Sequence, residues 1–370
     1  MARLLKPDYK NSVLNITATL AEFLGCKNSI PTIPLLKKEL KKNYKNVVFI
    51  CFDGLGINPL EKNCDEPNVL TSNIKKVVKS TFPSTTTNAT TSLLTNMYPL
   101  EHGWLGWSLY FESVNKCVDI FLDRDNYTLE KLNLSKKDRP ITLPEYYFYK
   151  ADSNYHVSTI FPSYVKVKDE LNNYVYSDKN QFVDSIVEVC KRKEKQFIYA
   201  YYPEPDATMH DYGVSSNEAK AKINEVIKIV EKLQKNTKNT LFVISADHGQ
   251  IDVEGYVEIY KDKEIMSMLK TPIYLEPRAA AFRVKEECKD SFESMFNERY
   301  SKDFTLFKTN DLIEQGYFGK GDKGELLGEF IAVGTYTHKT MIFHENSNYF
   351  KGHHTGLTEE MKVPLIIINN

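Results

Sequence analysis

The chain has 370 residues, of which 42% are hydrophobic and 12% aromatic, a composition that is typical of a folded globular protein and excludes an intrinsically disordered one. Its 48 Lys and Arg residues against 49 Asp and Glu give a formal net charge of -1, which argues against stable binding to the nucleic-acid backbone. No stretch holds about 18 apolar residues in a row, and the charged start, Met1–Lys10, lacks a signal-peptide pattern, so we expect a cytoplasmic protein with no membrane partner.

The first region along the chain predicts a helix followed by a linker. Apolar residues repeat at helical spacing over residues 12–25, and the pattern ends at Gly25. Pro31 and Pro34 mark the linker, and the basic run Lys37–Lys45 is typical of a solvated helix face. We therefore assign residues 1–45 to an N-terminal helix and linker.

A continuous apolar run over residues 46–52 predicts a buried parallel strand that ends at Asp53. Similar runs follow, and between them the clearest helices cover Val183–Cys190 and Glu218–Leu233, the second capped by Ser215 or Ser216. Strands that alternate with helices indicate an α/β fold, a doubly wound, mostly parallel sheet with helices on both faces. The further apolar runs are Val157–Phe161, Phe197–Tyr202, Thr240–Ser245, Phe330–Val333 and Pro364–Ile368.

The pattern changes after Gly249. A short strand, Ala279–Val284, and a helix, Cys288–Tyr300, stand there before the long apolar runs resume. The chain also exceeds the usual ~100–200 residues of one domain, which leaves room for a second unit. We predict a main α/β core formed by residues 46–255 and 326–370, with a small inserted α+β cap at residues 256–325.

Four segments place carboxylates and imidazoles at or near the ends of predicted strands, where open α/β sheets gather their ligands. Carboxylate oxygens and imidazole nitrogens suit a divalent cation such as zinc, and no thiolate is needed. The six cysteines lie far apart without a Cys-x-x-Cys pair, so they predict neither a zinc cluster nor disulfides. The four segments are Asp53, Glu204-Pro-Asp-x-x-x-His210, Ser245-Ala-Asp-His-Gly249 and Gly352-His-His-Thr-Gly356.

The spacing inside these segments is compatible with shared ligands. Asp206 and His210 are four residues apart, so on a helix both side chains lie on one face. Asp247 and His248 are adjacent and need a tight turn to converge, which Gly249 permits. Each segment alone also fits an ordinary loop or helix cap, and only their occurrence together favours a metal site.

An unusually hydroxyl-rich stretch begins at Ser80 and becomes amphipathic after Asn88. Its start resembles a helix N-terminus, where unpaired N–H groups and the positive end of the dipole favour a phosphate. Serine and threonine clusters also mark caps and turns. Beside metal ligands, however, the stretch is a candidate source of a nucleophilic hydroxyl.

Six motifs follow one another along the chain: Asp53-Gly, Pro83-Ser-Thr-Thr86, Tyr98-Pro-x-x-His-Gly103, Glu204-Pro-Asp-x-x-x-His210, Asp247-His-Gly249 and His354. In this order, the motifs resemble the alkaline phosphatase superfamily and, within it, the type I phosphodiesterase/nucleotide pyrophosphatase family. The resemblance runs from about residue 46 to 370 and leaves the first 45 residues and much of the cap unmatched. It implies an alkaline phosphatase-like fold and a hydrolase of phosphate esters.

The resemblance implies that Thr86, counted from Ser92-Leu-Leu-Thr95, attacks phosphorus and forms a phospho-threonine intermediate. Thr85 and Thr87 stay open as alternatives. The resemblance also implies two divalent ions, zinc or alternatively manganese, with His353 left open in place of His354. The implied ligands are Asp206, His210 and His354 for one ion, and Asp53, Asp247, His248 and Thr86 for the other.

The sequence departs from the family pattern at two places. Pro-Asn-His usually follows the nucleophile, whereas Thr87-Asn-Ala-Thr90 stands here. The asparagine that usually follows His-Gly and helps to hold a phosphate oxygen is missing, because the segment reads His102-Gly-Trp-Leu-Gly-Trp107. Trp107 and Tyr110 are candidate substrate-binding residues that could stack on a base or ring, although aromatic residues in such a segment often only pack.

We therefore expect a phosphodiesterase or nucleotide pyrophosphatase that acts on a small nucleotide or a similar phosphate ester. The missing asparagine leaves open a phosphomonoesterase or phosphonate hydrolase with the same site. A metal-dependent mutase and an inactive binding module of the same superfamily are the alternatives from other classes, and the complete ligand set disfavours the inactive module.

Overall fold

A computed structural model describes residues 4–165 and 172–370, so the first three residues of the predicted N-terminal region lie outside the description. The helices begin and end close to the predicted positions. In chain order they are α1 Val13–Phe23, α2 Pro34–Leu40, α3 Ile57–Asn63, α4 Thr86–Thr95, α5 Pro99–His102, α6 Lys179–Lys191, α7 Asp206–Tyr212, α8 Asn217–Asn236, α9 Lys263–Ser267, α10 Lys289–Tyr300 and α11 Thr309–Glu314.

The strands include every predicted apolar run, together with short strands that the apolar pattern did not mark. In chain order they are β1 Asn46–Phe52, β2 Ile74–Lys79, β3 Ser108–Phe111, β4 Lys116–Asp119, β5 Arg124–Asp125, β6 Tyr155–Pro162, β7 Asn172–Tyr176, β8 Lys195–Tyr202, β9 Thr240–Ser245, β10 Ile251–Asp252, β11 Gly255–Val257, β12 Tyr274–Glu276, β13 Ala279–Phe282, β14 Phe304–Lys308, β15 Phe330–Gly334, β16 Lys339–Met341, β17 Gly352–His353 and β18 Lys362–Asn369.

The main sheet has the strand order β2-β18-β9-β1-β8-β6-β7. Strand β1 runs parallel to both of its neighbours, β8 and β9, and every residue of β1 is buried. The last strand, β18, is antiparallel to both β9 and β2. A sheet buried on both faces requires continuous apolar strands, which is why the sequence reveals them so clearly.

The helices that pack around this sheet form two contact groups. One contains α1, α2 and α4, and the other contains α3, α6, α7 and α8. Helix α8 is amphipathic, with buried residues such as Ile223, Val226 and Leu233 along one side, and the Ser216 side chain accepts a hydrogen bond from the Ala219 N–H at its start. The predicted α/β fold class is confirmed. Among the described residues, no helix combines the length and the apolar character that crossing a membrane requires.

A second sheet, with the order β14-β15-β13-β12-β3-β4-β5, is antiparallel throughout. We expected a separate cap at residues 256–325, but this sheet also includes strands from residues 108–125 and 330–334. Strand β15 therefore belongs to the second sheet, whereas we expected the run Phe330–Val333 in the main core. Its residues are buried like those of a central parallel strand, so hydrophobicity does not distinguish the two positions.

A buried ion pair joins the second sheet to the loop before β18. Arg278 directly precedes β13. Its Nε donates to Glu360 Oε1 at 3.1 Å, and its Nη1 donates to the carbonyls of Thr337 and Lys339. Both charged side chains are fully buried. Gly356 packs against the same guanidinium. A Cβ added at Gly356 would lie 2.5 Å from Arg278 Nη2, so any larger side chain would collide with the guanidinium.

Candidate active site

The candidate ligands meet where neighbouring strands of the main sheet end. Asp53 follows β1, Asp247 and His248 follow β9, and Asp206 opens α7 shortly after β8. Because β8, β1 and β9 are adjacent and parallel, their carboxyl ends lie at one edge of the sheet. His354, directly after β17, completes the cluster from the end of the chain.

The first group consists of Asp53, Asp247 and His248, whose ligand atoms lie within 4.8 Å of one another. All three side chains are buried. The backbone N–H groups of Gly54 and His248 donate to Asp247 Oδ1 at 3.1 and 2.9 Å and fix that carboxylate in its turn. The tight turn expected at Asp247-His248-Gly249 thus brings both side chains to one point.

The second group consists of Asp206, His248 and His354, again within 4.8 Å of one another. Asp206 and His210 lie one turn apart on α7, and His210 Nε2 is 3.4 Å from Asp206 Oδ2. The structure therefore places His210 beside this group, while His248 belongs to both groups. His354 rather than His353 has its ligand atom in this group, and His353 Nδ1 instead accepts a hydrogen bond from the His354 N–H at 2.8 Å.

The electrostatics of the cluster call for a cation. Burial and the mutual repulsion of the carboxylates raise the pKa of Asp53 well above its ordinary value and also raise that of Asp247. Within the described residues, no lysine or arginine lies at ion-pair distance from Asp53, Asp206 or Asp247. Burial lowers the pKa of His354 well below its ordinary value, which keeps the ring in the neutral form that binds metals. This donor set fits divalent ions.

Hydrogen bonds orient two of the histidines, His210 and His248, and leave Nε2 of each directed at the cluster. The carbonyl of Gly352 lies 2.9 Å from His210 Nδ1, and the carbonyl of Gly249 lies 3.0 Å from His248 Nδ1. When Nδ1 donates to a carbonyl, Nε2 keeps the lone pair that a metal needs. This arrangement is typical of histidines that serve as metal ligands.

Two supporting residues were not predicted. The Tyr201 hydroxyl donates to Asp53 Oδ2, and Gln250 Nε2 donates to the carboxylate and, at 3.1 Å, to the carbonyl of Asp206. Tyr201 is one residue from the end of β8, and Gln250 directly follows the Asp-His-Gly motif. Their proximity to motif residues was the available signal, because carboxylate ligands usually need such partners.

Thr86 is the first residue of α4, as expected for a hydroxyl at a helix N-terminus. Its Oγ1 lies 3.2 Å from His248 Nε2 and 3.4 Å from both carboxylate oxygens of Asp53. From Ser80 to Thr95 it is the one residue that is not buried. The Thr85 and Thr87 side chains are buried away from solvent, so Thr86 is the threonine of this run that faces both the cluster and the exterior.

A cavity of about 420 Å³ opens onto the cluster. Thr86, Asp206 and His354 line it, and so does Trp107, one of the two predicted substrate-binding aromatics. Tyr110, the other, does not: its hydroxyl donates to Asn115 Oδ1 at 2.6 Å and Arg283 lies over its ring. Trp107 directly precedes β3 and Tyr110 is three residues further along the chain, so in an extended backbone the two side chains point to opposite faces.

Glu276, at the end of β12, also lines this cavity and was not predicted. Its Oε1 accepts from the Trp107 N–H at 2.7 Å, and its carboxyl also bonds with the Thr85 side chain. Burial raises the pKa of Glu276 to about 8. Glu276 thus ties the segment that lacks the expected asparagine to the residue before Thr86. A single glutamate on a short cap strand carried no sequence signal for this position.

A family model described as type I phosphodiesterase / nucleotide pyrophosphatase matches residues 47–337, which is most of the chain. The family expected from the motifs is thereby confirmed. No curated protein in the comparison matches the chain by sequence.

Solved structures share the fold at low sequence identity. Murine ectonucleotide pyrophosphatase/phosphodiesterase 5 is 18% identical with a TM-score of 0.62, and the alignment covers 87% of each chain. An inactive threonine-to-alanine variant of that protein, in complex with AMP, gives a TM-score of 0.60 at 18% identity, with 87% of each chain covered. Phosphonoacetate hydrolase from Sinorhizobium meliloti 1021, in complex with phosphonoacetate, gives 0.60 at 14% identity, with 86% of this chain and 89% of that chain covered.

Proposed function

We propose that this chain, which belongs to the type I phosphodiesterase/nucleotide pyrophosphatase family, hydrolyses phosphate esters with two divalent metal ions and Thr86 as the nucleophile. One observation carries the proposal: the only hydroxyl of its run that is not buried lies within 3.4 Å of a buried carboxylate–imidazole cluster and lines the adjacent cavity. Family membership supports a hydrolase of phosphorus esters in general, and the metals and the nucleophile are the finer part of the proposal.

For the two ions we propose the ligand sets that the family resemblance implies. Asp53, Asp247 and His248 would hold one, with Thr86 beside it, and Asp206, His210 and His354 would hold the other. Bound divalent ions would supply Lewis-acid chemistry, lowering the pKa of the threonine hydroxyl and neutralising charge at phosphorus. Zinc suits this mixture of carboxylate and imidazole ligands, and manganese is the alternative.

Residues of the chain supply both the nucleophile and the groups that bind the phosphoryl group. The Thr86 oxygen forms a bond to phosphorus while the ester bond to the leaving oxygen breaks, which gives a phospho-threonine; water cleaves that ester and restores the hydroxyl. The start of α4 has no side-chain cap, so the N–H groups of its first turn would be free to bind the phosphoryl group, and the helix dipole would favour its negative charge. The inactive threonine-to-alanine relative is consistent with this role.

We base the proposed substrate class on the family to which the chain belongs. A phosphodiesterase or nucleotide pyrophosphatase is our leading proposal, with a small nucleotide or similar ester as partner and Trp107 available to pack on its leaving group. A phosphomonoesterase or phosphonate hydrolase is the alternative, because the asparagine after Gly103 is missing and a phosphonoacetate hydrolase shares the fold. A cytoplasmic location and the lack of stable nucleic-acid binding remain proposals, and a mutase or inactive module has no specific support.

The deciding experiment compares three substrates on zinc-loaded protein: bis-p-nitrophenyl phosphate, p-nitrophenyl phosphate and phosphonoacetate. We expect the diester to be turned over with the highest kcat/KM, and chelation to abolish that turnover. A preference for the monoester or for phosphonoacetate would transfer the assignment to the alternative. Absence of turnover on all three, in protein that holds its zinc, would contradict the hydrolase proposal.

A further inference from the structure

The cavity beside Thr86 is formed by both sheets, and its charges are unevenly distributed. The metal-ligand cluster at the end of the main sheet contributes acidic groups such as Asp206, whereas the second sheet contributes Arg124 together with Glu276. Among the described residues that line the cavity, Arg124 is the one lysine or arginine. The proposed function leaves this guanidinium unused.

Arg124 is held in place by a buried carboxylate. Strands β4 and β5 pair Asp119 with Arg124, and Arg124 Nε donates to Asp119 Oδ2 at 2.6 Å. The Asp119 side chain is 1% exposed, while that of Arg124 is 33% exposed. Asp119 Oδ1 also accepts from Asn126 Nδ2 at 2.6 Å, so one carboxylate orients two residues that line the cavity.

This arrangement leaves donors available to a ligand. Within the described residues, the terminal nitrogens Nη1 and Nη2 of Arg124 make no hydrogen bond, since only Nε is engaged. A guanidinium stays charged at all relevant pH values, and its planar fork matches a carboxylate or a phosphate. Because Asp119 restricts the side chain, binding an anion would cost less conformational entropy than at a free surface arginine.

We propose that Arg124, positioned by Asp119, binds a second anionic group of the substrate, so that preferred substrates are phosphorus esters or phosphonates carrying a further carboxylate or phosphate. The inference rests on the proposed function, in which the reacting phosphoryl group occupies the metal cluster. A purely structural role for the Arg124–Asp119 pair, as a fastening of the β4–β5 hairpin, would affect stability without selecting ligands by charge.

Calorimetry on zinc-loaded Thr86→Ala protein tests this inference without requiring turnover. The ligands are phosphonoacetate, its carboxyl methyl ester, methylenediphosphonate and methylphosphonate. We expect each ligand with a second anion to bind at least about tenfold more tightly than its partner without one, as a charge-assisted bond warrants. The tighter of phosphonoacetate and methylenediphosphonate identifies whether a carboxylate or a phosphate is preferred.

The same measurements in the Arg124→Gln background should abolish the preference, while the affinity for the two ligands that have a single anionic group should stay almost the same. Lys131→Gln is the matched control, because Lys131 pairs opposite Arg124, is exposed, and does not line the cavity, yet its loss changes the net charge equally. Arg124→Lys, which keeps the charge but loses the fork, should retain part of the preference.

Two results would overturn this inference but leave the proposed function standing. One is equal affinity, in the Thr86→Ala protein, for the ligands with and without a second anionic group. The other is a preference for the second anionic group that Arg124→Gln leaves unchanged. If none of the four ligands bound to protein that holds two zinc ions, the proposed function itself would fail, and this inference with it. Zinc content and circular dichroism of each variant establish that the fold and metal cluster are intact.

Discussion

At the scale of single residues, position decides which of several identical side chains can react. Thr85, Thr86 and Thr87 are equivalent in sequence, yet only Thr86 is both exposed to the cavity and within 3.4 Å of Asp53. The sequence could identify the run, because a hydroxyl-rich helix start beside metal motifs is informative. It could select Thr86 within the run only through the family resemblance.

Replacing Thr86 with alanine should reduce turnover by about 10³-fold or more, because the attacking oxygen is removed. Zinc content should stay the same, and Thr86→Ser should keep partial activity since it retains the oxygen. Steady-state kinetics with elemental analysis checks both points. Thr85→Ala and Thr87→Ala serve as controls with much smaller effects, and an inactive Thr85→Ala beside an active Thr86→Ala would move the nucleophile by one residue.

Glu276 leads to a prediction about pH. Its pKa in the folded state, about 8, lies above the value of roughly 4.3 that an unfolded chain gives glutamate. Between these values the folded state keeps the proton and the unfolded state releases it, so stability falls as pH rises, by up to about 1.4 kcal/mol per pH unit. The neutral Glu276→Gln variant lacks this dependence.

Urea unfolding of metal-free protein between pH 5 and pH 8 measures this difference. The free energy of unfolding of the parent should decrease more steeply with pH than that of Glu276→Gln. Parallel pH profiles for the two proteins would show that Glu276 is ionised in the folded state. Glu276 itself could not be found from sequence, because burial on a short strand of another sheet creates its properties.

At the scale of elements, apolar runs located the strands but did not assign them to sheets. Strand β15 is as buried as β1, although its partners β13 and β14 belong to the second sheet. The short strands β3–β5 escaped because two- to four-residue segments carry little periodicity. Removing residues 256–325 as a unit would therefore leave β15 without either of its partners and would leave β3 paired with β4 alone.

The Arg278–Glu360 pair between β13 and the loop before β18 supports a prediction at this scale. Arg278→Met should destabilise the protein by about 3–5 kcal/mol, because Glu360 would keep a buried charge without its partner. The double variant Arg278→Met/Glu360→Gln should recover a large part of that loss. Chemical unfolding of both variants tests the prediction, and equal destabilisation would show that packing, rather than the unpaired charge, dominates.

At the scale of the whole molecule, metal binding and folding should be coupled. Asp53 and Asp247 have raised pKa values in the metal-free fold, so their ionisation lowers its stability as the pH rises through those values. Zinc would offset the repulsion and bind the ionised forms. We therefore expect chelation to lower Tm more at pH 8 than at pH 5.5.

Differential scanning fluorimetry with and without EDTA measures this effect, and elemental analysis should find about two divalent ions per chain, in line with the two ligand groups. If EDTA left Tm unchanged at both pH values, in protein shown to contain zinc, metal binding would not stabilise the fold. Only trace metal in active protein would contradict the two-ion proposal altogether.

The central position of β1 has a consequence for refolding. Strand β1 pairs with β8 and β9, where Asn46 lies opposite Gln196 and Thr240. The middle of the main sheet therefore forms only through contacts between distant parts of the chain. Such high contact order slows folding, since loop-closure entropy is lost before the pairings stabilise the product. The metal ligands directly follow these same strands, so we expect the metal site to form only after the strands have paired. Zinc added during refolding should consequently stabilise the finished protein without accelerating the rate-limiting step.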